Sequence, residues 1–327
     1  MLKAYDFSKY KGAASMSKVN SFNLLENEIA ESLVKSIHAD DNGPRSRKCT
    51  VCGSEDISVF FEKWGVPYFR CASCDSIFVS VSPDALTTYA SNEELIRLRT
   101  SRDYQNEETS IRSIVWEELL DWVRFRTFRY IGRKSGLSII DYGNRYKDFA
   151  FKILNSDFCS LYELRDSILQ DVPSQHLIKA DIIFYFNKIQ QSLDPLSDLK
   201  DAFDALNDNG LLFFSTRIGT GFDILTLKND AKIFPFEHVL LPSVDGLKKL
   251  LSDAGFTMLE YSTPGRRDVE YVHDHKDSIS PDNLFVKYMI EHGDETAFAE
   301  FQRFLQKNGF SSHAQIVAKK VNNYGQN

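Results

Sequence analysis

From residue 137 to the C-terminal region, short apolar runs alternate with amphipathic segments along the chain. Apolar runs of four to eight residues bounded by turn residues are typical of buried strands, and the segments between them show helical spacing. Regular alternation of strand and helix predicts an α/β fold built on a mostly parallel sheet with helices on both faces. The runs predicted as strands are Leu137–Asp141, Phe158–Glu163, Asp181–Phe186, Leu211–Thr216, Phe256–Tyr261 and Ala314–Lys319.

Helical spacing is also present before the first of these strands. Phe22–Ile37 predicts one helix near the N-terminus, and Pro83–Arg133 is expected to be mostly helical because of its long apolar stripe. The helices predicted between the later strands are Lys147–Leu154, Leu196–Leu206, Pro242–Ala254 and Asp282–Asn308, the last broken at His292–Asp294.

Breaker residues and cysteines divide the chain into three predicted parts. Residues 1–45 contain the first helix and a linker rich in breakers, residues 46–82 form a small cysteine-containing module, and residues 83–327 form the α/β domain with its helical lead-in.

Composition narrows the class of protein. Hydrophobic residues make up 43% and charged residues 26% of the 327 residues, as in an ordinary globular protein. The formal net charge of −7 argues against a general nucleic-acid binder. No apolar run approaches the roughly 18 residues of a membrane span, and the N-terminal residues lack the apolar core of a signal peptide. We therefore expect a cytoplasmic protein without a membrane partner.

Four of the five cysteines form two Cys-x-x-Cys pairs. Cys49 and Cys52 precede a predicted hairpin, and Cys71 and Cys74 follow it. This spacing is typical of a zinc ribbon, in which two turns each present two thiolates to one tetrahedral ion. Because four protein ligands close the coordination shell, we expect a structural Zn²⁺; the alternative is a pair of redox dithiols.

The first strand of the α/β region ends in an acidic residue and a glycine turn. Asp141 and Gly143 lie between this strand and a predicted helix, an order typical of the first βα unit of nucleotide-binding folds. A glycine allows close approach of a ligand to the backbone, and the helix that follows offers free N–H groups. Arg145 and Lys147 stand where further glycines of such a loop would be expected.

The order and spacing of these segments resemble the class I S-adenosylmethionine-dependent methyltransferases. The resemblance covers about Trp116 to Lys320, and the cysteine module is similar to the ribbon that precedes such domains in some small-molecule and sugar-pathway methyltransferases. The segments that carry it are Ile139–Gly143, Asp181–Phe186, Asp194–Leu196, Leu206–Phe214, Phe236–Val239 and Ser243–Phe256.

The resemblance implies a site for S-adenosylmethionine. In this site, Glu163 at the end of the second strand would accept hydrogen bonds from the ribose hydroxyls. His238, after the fifth strand of the family's sheet, is a candidate base that would take a proton from the methyl acceptor. Simpler roles are also open: Asp141 as a helix cap, Glu163 on a solvated strand end, and His238 bonded to backbone. The residues expected to contact the cofactor are Asp141, Tyr142, Gly143, Asn144, Glu163 and Phe186.

Three functions are consistent with this sequence. The first is a methyltransferase acting on a small molecule, such as a sugar or a cell-surface precursor. The second is a catalytically inactive scaffold whose ribbon and N-terminal helix bind a protein partner, a hypothesis that Arg145 and Lys147 motivate. The third is a nucleic-acid modifier, suggested by the alternating basic and aromatic residues of Arg124–Tyr130. We favour an amphipathic helix with solvated arginines for that stretch, because nothing else in the chain is basic.

Overall fold

The computed structural model of the chain describes residues 21–41, 48–143, 147–165 and 179–320. The first part of the chain contains a helix, a small three-stranded unit and three further helices. Its elements are α1 (Ser21–Asp40), β1 (Ile57–Lys63), β2 (Val66–Cys71), β3 (Ile77–Val79), α2 (Pro83–Ala90), α3 (Glu93–Thr100) and α4 (Arg102–Ile131).

The remainder alternates strands with helices, as predicted. Its elements are β4 (Leu137–Asp141), α5 (Lys147–Leu154), β5 (Cys159–Leu164), β6 (Ala180–Phe186), α6 (Pro195–Ala205), β7 (Leu206–Arg217), α7 (Phe222–Leu227), β8 (Leu240–Leu241), α8 (Val244–Asp253), β9 (Phe256–Ser262), α9 (Asp268–Asp274), α10 (Leu284–His292), α11 (Glu295–Asn308) and β10 (His313–Lys320).

Polar caps divide the helical lead-in into three helices. The side chains of Ser82, Asn92 and Ser101 each accept a hydrogen bond from the backbone N–H three residues further on. Such bonds satisfy N–H groups that have no partner within the first turn of a helix. The last of the three helices ends at Gly132, which adopts the left-handed conformation favoured at helix C-termini.

The larger sheet runs in the order β5-β4-β6-β7-β10-β9. Neighbouring strands are parallel from β5 to β7, whereas β10 is antiparallel to both β7 and β9. The chain goes from β4 outward to β5 and then crosses to β6 on the other side of β4, as in doubly wound folds. The predicted Rossmann-like α/β fold, a mostly parallel sheet with helices on both faces, is therefore confirmed.

Helices cover both faces of this sheet, and alternate residues of its strands point to opposite faces. On β6, Ile182 and Phe184 pack with α4 and α5, whereas Ile183 and Tyr185 pack with α6 and α8. All four side chains are buried. Because both faces of the strand are covered, its residues form a continuous apolar run in the sequence.

The smaller sheet joins the cysteine module to the α/β domain. Its order is β1-β2-β3-β8, and β3 pairs antiparallel with β8 through Ile77 opposite Leu241 and Phe78 opposite Leu240. The two faces of the larger sheet each form a hydrophobic core, and a third core lies beside this smaller sheet. The third core is lined by α1, β1–β3, α2, α7 and α9–α11. The module thus shares one sheet with a strand from beyond residue 82.

Several features differ from the sequence prediction, among them α7 and the short strands β3 and β8, which were not predicted. β7 begins at Leu206 instead of Leu211, because the residues between them form a bulge in which Asn209 has a φ of 64° and the pairing with β6 skips. Between β9 and β10 the chain forms α9 as well as the two predicted helices. None of the helices in the described ranges has the length and apolar character needed to cross a membrane.

Candidate functional site

The four cysteines of the two Cys-x-x-Cys pairs converge on one point. All four sulfur atoms lie within 4.8 Å of one another, with 3.6 Å between Cys49 Sγ and Cys74 Sγ and 3.5 Å between Cys52 Sγ and Cys71 Sγ. Around tetrahedral zinc with Zn–S bonds of about 2.3 Å, sulfur atoms lie about 3.8 Å apart. The four sulfur atoms therefore fit a zinc ion with a closed shell of protein ligands.

The two cysteine turns have the same backbone geometry. In each turn the first cysteine's carbonyl accepts from the N–H four residues later, at 2.8 Å for both Gly53 and Asp75. Gly53 and Asp75 have φ angles of 75° and 58°, which reverse the chain after each pair. This repetition presents both thiols of a pair to the same side.

Electrostatics within the cluster also favour a metal. Hydrogen bonds from Cys49 and, with a smaller effect, from Ser76 lower the pKa of the Cys74 thiol well below its usual value, against the effect of its burial. The thiolate is the form that binds metal, so one ligand is ionised before any ion enters.

The cysteine module is fastened to the first turn of α8. Ser243 caps this helix, its backbone N–H donates to Ser76 Oγ at 3.0 Å, and its hydroxyl donates to the carbonyl of Cys74. Gly246 permits the contact, since a Cβ there would lie 2.4 Å from Ser76 Oγ. The cysteine cluster is thereby held against the α/β domain.

The predicted cofactor residues of β4 lie at the carboxyl end of the strand. Asp141 is buried; its Oδ1 accepts from the N–H of Gly143 at 2.7 Å, and its Oδ2 accepts from the hydroxyl of Tyr162 on β5. Burial raises the pKa of Asp141 to about 6, although both hydrogen bonds act in the opposite direction. A Cβ at Gly143 would lie 3.0 Å from the carbonyl oxygen of Phe186, so this turn runs close to the end of β6.

Glu163 lies at the carboxyl end of the neighbouring strand β5, opposite Ile140. Its Oε1 accepts from Arg165 Nε at 2.6 Å, and Arg165 Nη1 donates to the hydroxyl of Tyr142 at 3.3 Å. Sequence reasoning missed Arg165, which fixes the carboxylate and bonds Tyr142 as well. The only feature of the sequence that could have indicated a role for Arg165 is its position directly after the predicted strand.

Phe186 ends β6 on the other side of β4. Its ring is buried against Phe184 and Phe149, with ring centroids 5.2 Å and 5.8 Å away, so its main chain is the part that lies near Gly143. Asn144 and Arg145 lie outside the described residues, as does the side chain of Lys147.

His238 lies in the buried segment between α7 and β8. Its Nδ1 accepts from the backbone N–H of Phe234 at 3.0 Å. An imidazole that accepts at Nδ1 in its neutral form carries its proton on Nε2. In this tautomer His238 can donate a hydrogen bond from Nε2.

Next to His238, a buried charged cluster links three parts of the chain. Arg99 of α3 pairs with Glu237 and with Glu26 of α1, the second at 2.7 Å from Nε to Oε1. Tyr89 donates to Glu237 at 2.9 Å and Tyr104 to Glu26 at 3.1 Å. The glutamate side chains are only 6% and 8% exposed. Nothing in the sequence indicated this cluster, because its members are spread over more than half of the chain.

Of the comparisons with known proteins, the one with solved structures found similar chains. No family model matches the sequence, and no curated protein matches it. Similar solved structures include a putative sarcosine dimethylglycine methyltransferase from Galdieria sulphuraria, 15% identical with a TM-score of 0.41 over 66% of this chain and 88% of that one. Coclaurine N-methyltransferase bound to N-methylheliamine and SAH is 13% identical with a TM-score of 0.40 over 63% and 70% of the two chains.

A third similar structure is the cyclopropane synthase MmaA2 from Mycobacterium tuberculosis, 14% identical with a TM-score of 0.37 over 57% of this chain and 79% of that one. At these identities and scores the similarity concerns the α/β fold alone. The fold class therefore rests on the strand order and direction given above.

Proposed function

We propose that this protein is an S-adenosylmethionine-dependent methyltransferase that acts on a small polar molecule, such as a sugar or a cell-surface precursor. One observation carries the proposal: Asp141, Glu163 and Phe186 end three adjacent parallel strands, β4, β5 and β6. Ligands of doubly wound sheets bind outside the carboxyl ends of the strands, at the point where the strand order reverses.

The described residues fit such a cofactor. S-adenosylmethionine, when bound, supplies a methyl group on a positively charged sulfur. The turn at Gly143 has no side chain to block the approach of a ligand to the backbone. The ionised Asp141 would favour the cofactor's positive charges, and Glu163 would accept hydrogen bonds from the ribose hydroxyls, sharing its carboxylate with Arg165.

Two buried polar atoms support a small polar acceptor. Among the described residues, no group forms a hydrogen bond with the buried Tyr68 hydroxyl on β2 or with the buried Nε of Arg217 at the end of β7. The other nitrogens of Arg217 are engaged, one by Asp223 and one by the carbonyl of Lys232 at 2.8 Å. Leaving a buried polar group unpaired costs about 1–3 kcal/mol. A hydroxyl-bearing acceptor bound at the carboxyl end of β7 would supply the missing partner of the Arg217 Nε–H.

His238 is the residue we propose to act on the acceptor. With Nδ1 held by the Phe234 N–H, Nε2 carries the proton, so a hydrogen bond from Nε2 would orient an acceptor oxygen. Because the Nδ1 lone pair is taken by the Phe234 N–H and Nε2 already carries a proton, His238 in this tautomer would position the acceptor and would not remove its proton.

Isothermal titration calorimetry with S-adenosylhomocysteine tests the proposal. The zinc-loaded protein should bind it, and Glu163→Gln should weaken binding about tenfold through loss of charged hydrogen bonds to the ribose. Asp157→Asn is a matched control, because Asp157 precedes the same strand at the opposite end of the sheet. No binding by the zinc-loaded protein, or equal weakening by both variants, would contradict the proposed site.

A further inference from the structure

An aromatic slot flanked by cations lies on the surface where α4 ends. Arg124, Phe125 and Phe128 of α4, together with Lys134 and Phe158, line a depression of about 270 Å³. Phe158 is buried and forms the floor, whereas Phe125 and Phe128 are 55% and 49% exposed. Small-molecule pockets usually span roughly 300–1,000 Å³, so this slot suits a protruding apolar side chain.

The cations of the aromatic slot are not neutralised by carboxylates. The Arg124 guanidinium lies 5.9 Å from the ring centroid of Phe158, and the Lys134 ammonium lies 4.5 Å from that of Phe128. Within the described ranges neither cation forms an ion pair, whereas nearby Arg126 and Arg133 pair with Glu260 and Asp181. The slot therefore favours an apolar group that has negative charge beside it.

The exposed face of α10 has that composition. Leu284, Phe285 and Tyr288 are 74%, 73% and 66% exposed, the first two being the most exposed large apolar side chains among the described residues. Asp282 and Glu291 flank them, are exposed, and form no ion pair within the described residues. Lys287 is the single cation among them, so the α10 face has a net negative charge.

The two surfaces lie at opposite ends of the molecule. The aromatic slot lies where α4 leads into β4 and where Phe158 leads into β5, at the amino ends of the parallel strands. The α10 face belongs to the segment between the end of β9 and the start of β10. This segment leaves and re-enters the sheet at the edge where the parallel strands have their carboxyl ends. One molecule can therefore offer both surfaces at once.

We propose that the α10 face of one molecule docks in the aromatic slot of a second copy of this chain, so that molecules associate head to tail. Phe285 and Leu284 enter the slot, and Asp282 and Glu291 lie against Arg124 and Lys134. Such a contact is heterologous: each molecule uses one surface to receive and a different one to insert, so association continues into a ring or an open chain.

Other occupants fit less well. Single-stranded nucleic acid would stack bases on the phenylalanines, but the depression next to the slot is lined by Glu117 and Asp121, and the chain's net charge is −7. Pairing of two α10 faces would bring Asp282 and Glu291 of both molecules together. A second copy inserted head to tail avoids the repulsion between two α10 faces, and its α10 face brings far less negative charge toward Glu117 and Asp121 than a nucleic acid would.

Sedimentation velocity of the full zinc-loaded chain tests the contact. We expect the average mass to rise with concentration beyond that of a dimer and to fall with added salt, because charge pairs at a surface are screened. Phe125→Ser in the slot and Phe285→Ser on α10 should each give monomers. Val59→Ser is the control, since Val59 is an apolar residue of β1 that is 60% exposed and belongs to neither surface.

Mixing the two monomeric variants gives the decisive result. The Phe125→Ser chain keeps its α10 face and the Phe285→Ser chain keeps its slot, so the mixture should form one contact and stop at a heterodimer. Retained zinc and unchanged circular dichroism confirm that both variants are folded. A wild-type chain that stays monomeric, or a mixture that stays monomeric, overturns the proposal. The proposal is also overturned if Phe285→Ser abolishes association and Phe125→Ser leaves it intact, because that outcome means that α10 faces pair with each other.

Discussion

Asp141 shows how one residue serves both the fold and the proposed site. Its carboxylate is buried at the end of β4 and bonded by the Gly143 N–H and the Tyr162 hydroxyl. Burial nevertheless raises its pKa to about 6. An aspartate kept in so costly a position is typical of functional sites, where stability is given up for chemistry.

The raised pKa makes a signed prediction for stability. Asp141 binds its proton more tightly in the folded than in the unfolded chain. Its ionisation therefore lowers the free energy of unfolding of the wild-type chain as pH rises from about 4 to about 6. Asp141→Asn removes this dependence. The stability of the variant relative to wild type should therefore increase across that range, by at most about 3 kcal/mol.

Urea unfolding at pH 4, 5, 6 and 7 measures this difference. Calorimetry with S-adenosylhomocysteine on the same variant should show weaker binding, since the buried negative charge is gone. Parallel stability profiles for wild type and variant would show that Asp141 titrates normally.

Sequence reasoning located Asp141 but not its electrostatics. The order of residues between 137 and 143 was enough to predict the strand, the aspartate at its end and the glycine turn. The partner Tyr162 depends on the register of β5, which places Ile139 opposite Tyr162, and register is decided by packing across the sheet. The bond from the Phe234 N–H to His238 depends instead on the conformation of the irregular segment between α7 and β8, which no periodic pattern of residues predicts.

At the scale of elements, the cysteine module combines shared packing with a site that fits a metal. Its strands bury Phe61, Tyr68 and Ile77 in a core shared with helices from the rest of the chain, and ligation would add to this packing. The two equivalent turns hold the cysteines, and Ser243 and β8 fix the module to the α/β domain.

Removal of one ligand should release the ion. We expect Cys71→Ser to lower the zinc content from about one ion per chain to none and to lower the melting temperature, because the two cysteine turns lose the ligation that holds them together. Cys159→Ser is the matched control, since Cys159 lies on β5 away from the cluster. Inductively coupled plasma mass spectrometry and differential scanning fluorimetry measure the two effects; full zinc content in Cys71→Ser would rule out ligation by all four cysteines.

The long elements were predictable and the short ones were not. β4 and α5 coincide with the predicted segments, and β5, β6 and β10 differ by one residue at either or both ends. The strands β3 and β8, with three and two residues, are too short to show alternation. The sheet that joins the module to the domain therefore could not be read from the sequence.

At the scale of the whole molecule, α1 is part of the body of the protein. Ala30 and Val34 are fully buried in the third core, and Glu26 reaches Arg99 and through it Glu237. The sequence predicted the helix and left its packing open. The buried cluster now connects it to the segment that holds His238.

Loss of Arg99 should destabilise the chain. Arg99→Met leaves Glu26 and Glu237 as buried, uncompensated charges, which costs about 3 kcal/mol at neutral pH. The loss should be smaller at pH 5, because carboxylates that have lost their cation take up protons more readily. Urea unfolding at pH 5 and pH 7.5 measures both, with the exposed Arg97→Met on the same helix as the control. An equal loss at the two pH values would argue against charge as the cause.

The pairing of β3 with β8 sets an order of events during synthesis. All four cysteines leave the ribosome long before Leu241, which lies about 160 positions after its partner Ile77. At usual elongation rates of about 5–20 residues per second, the metal-loaded module must wait roughly 10–30 s for its last strand. Throughout that interval the apolar edge of β3 is open to any other nascent strand. Overproduction in bacteria should therefore favour inclusion bodies at fast translation, and slower synthesis in the cold should raise the soluble yield.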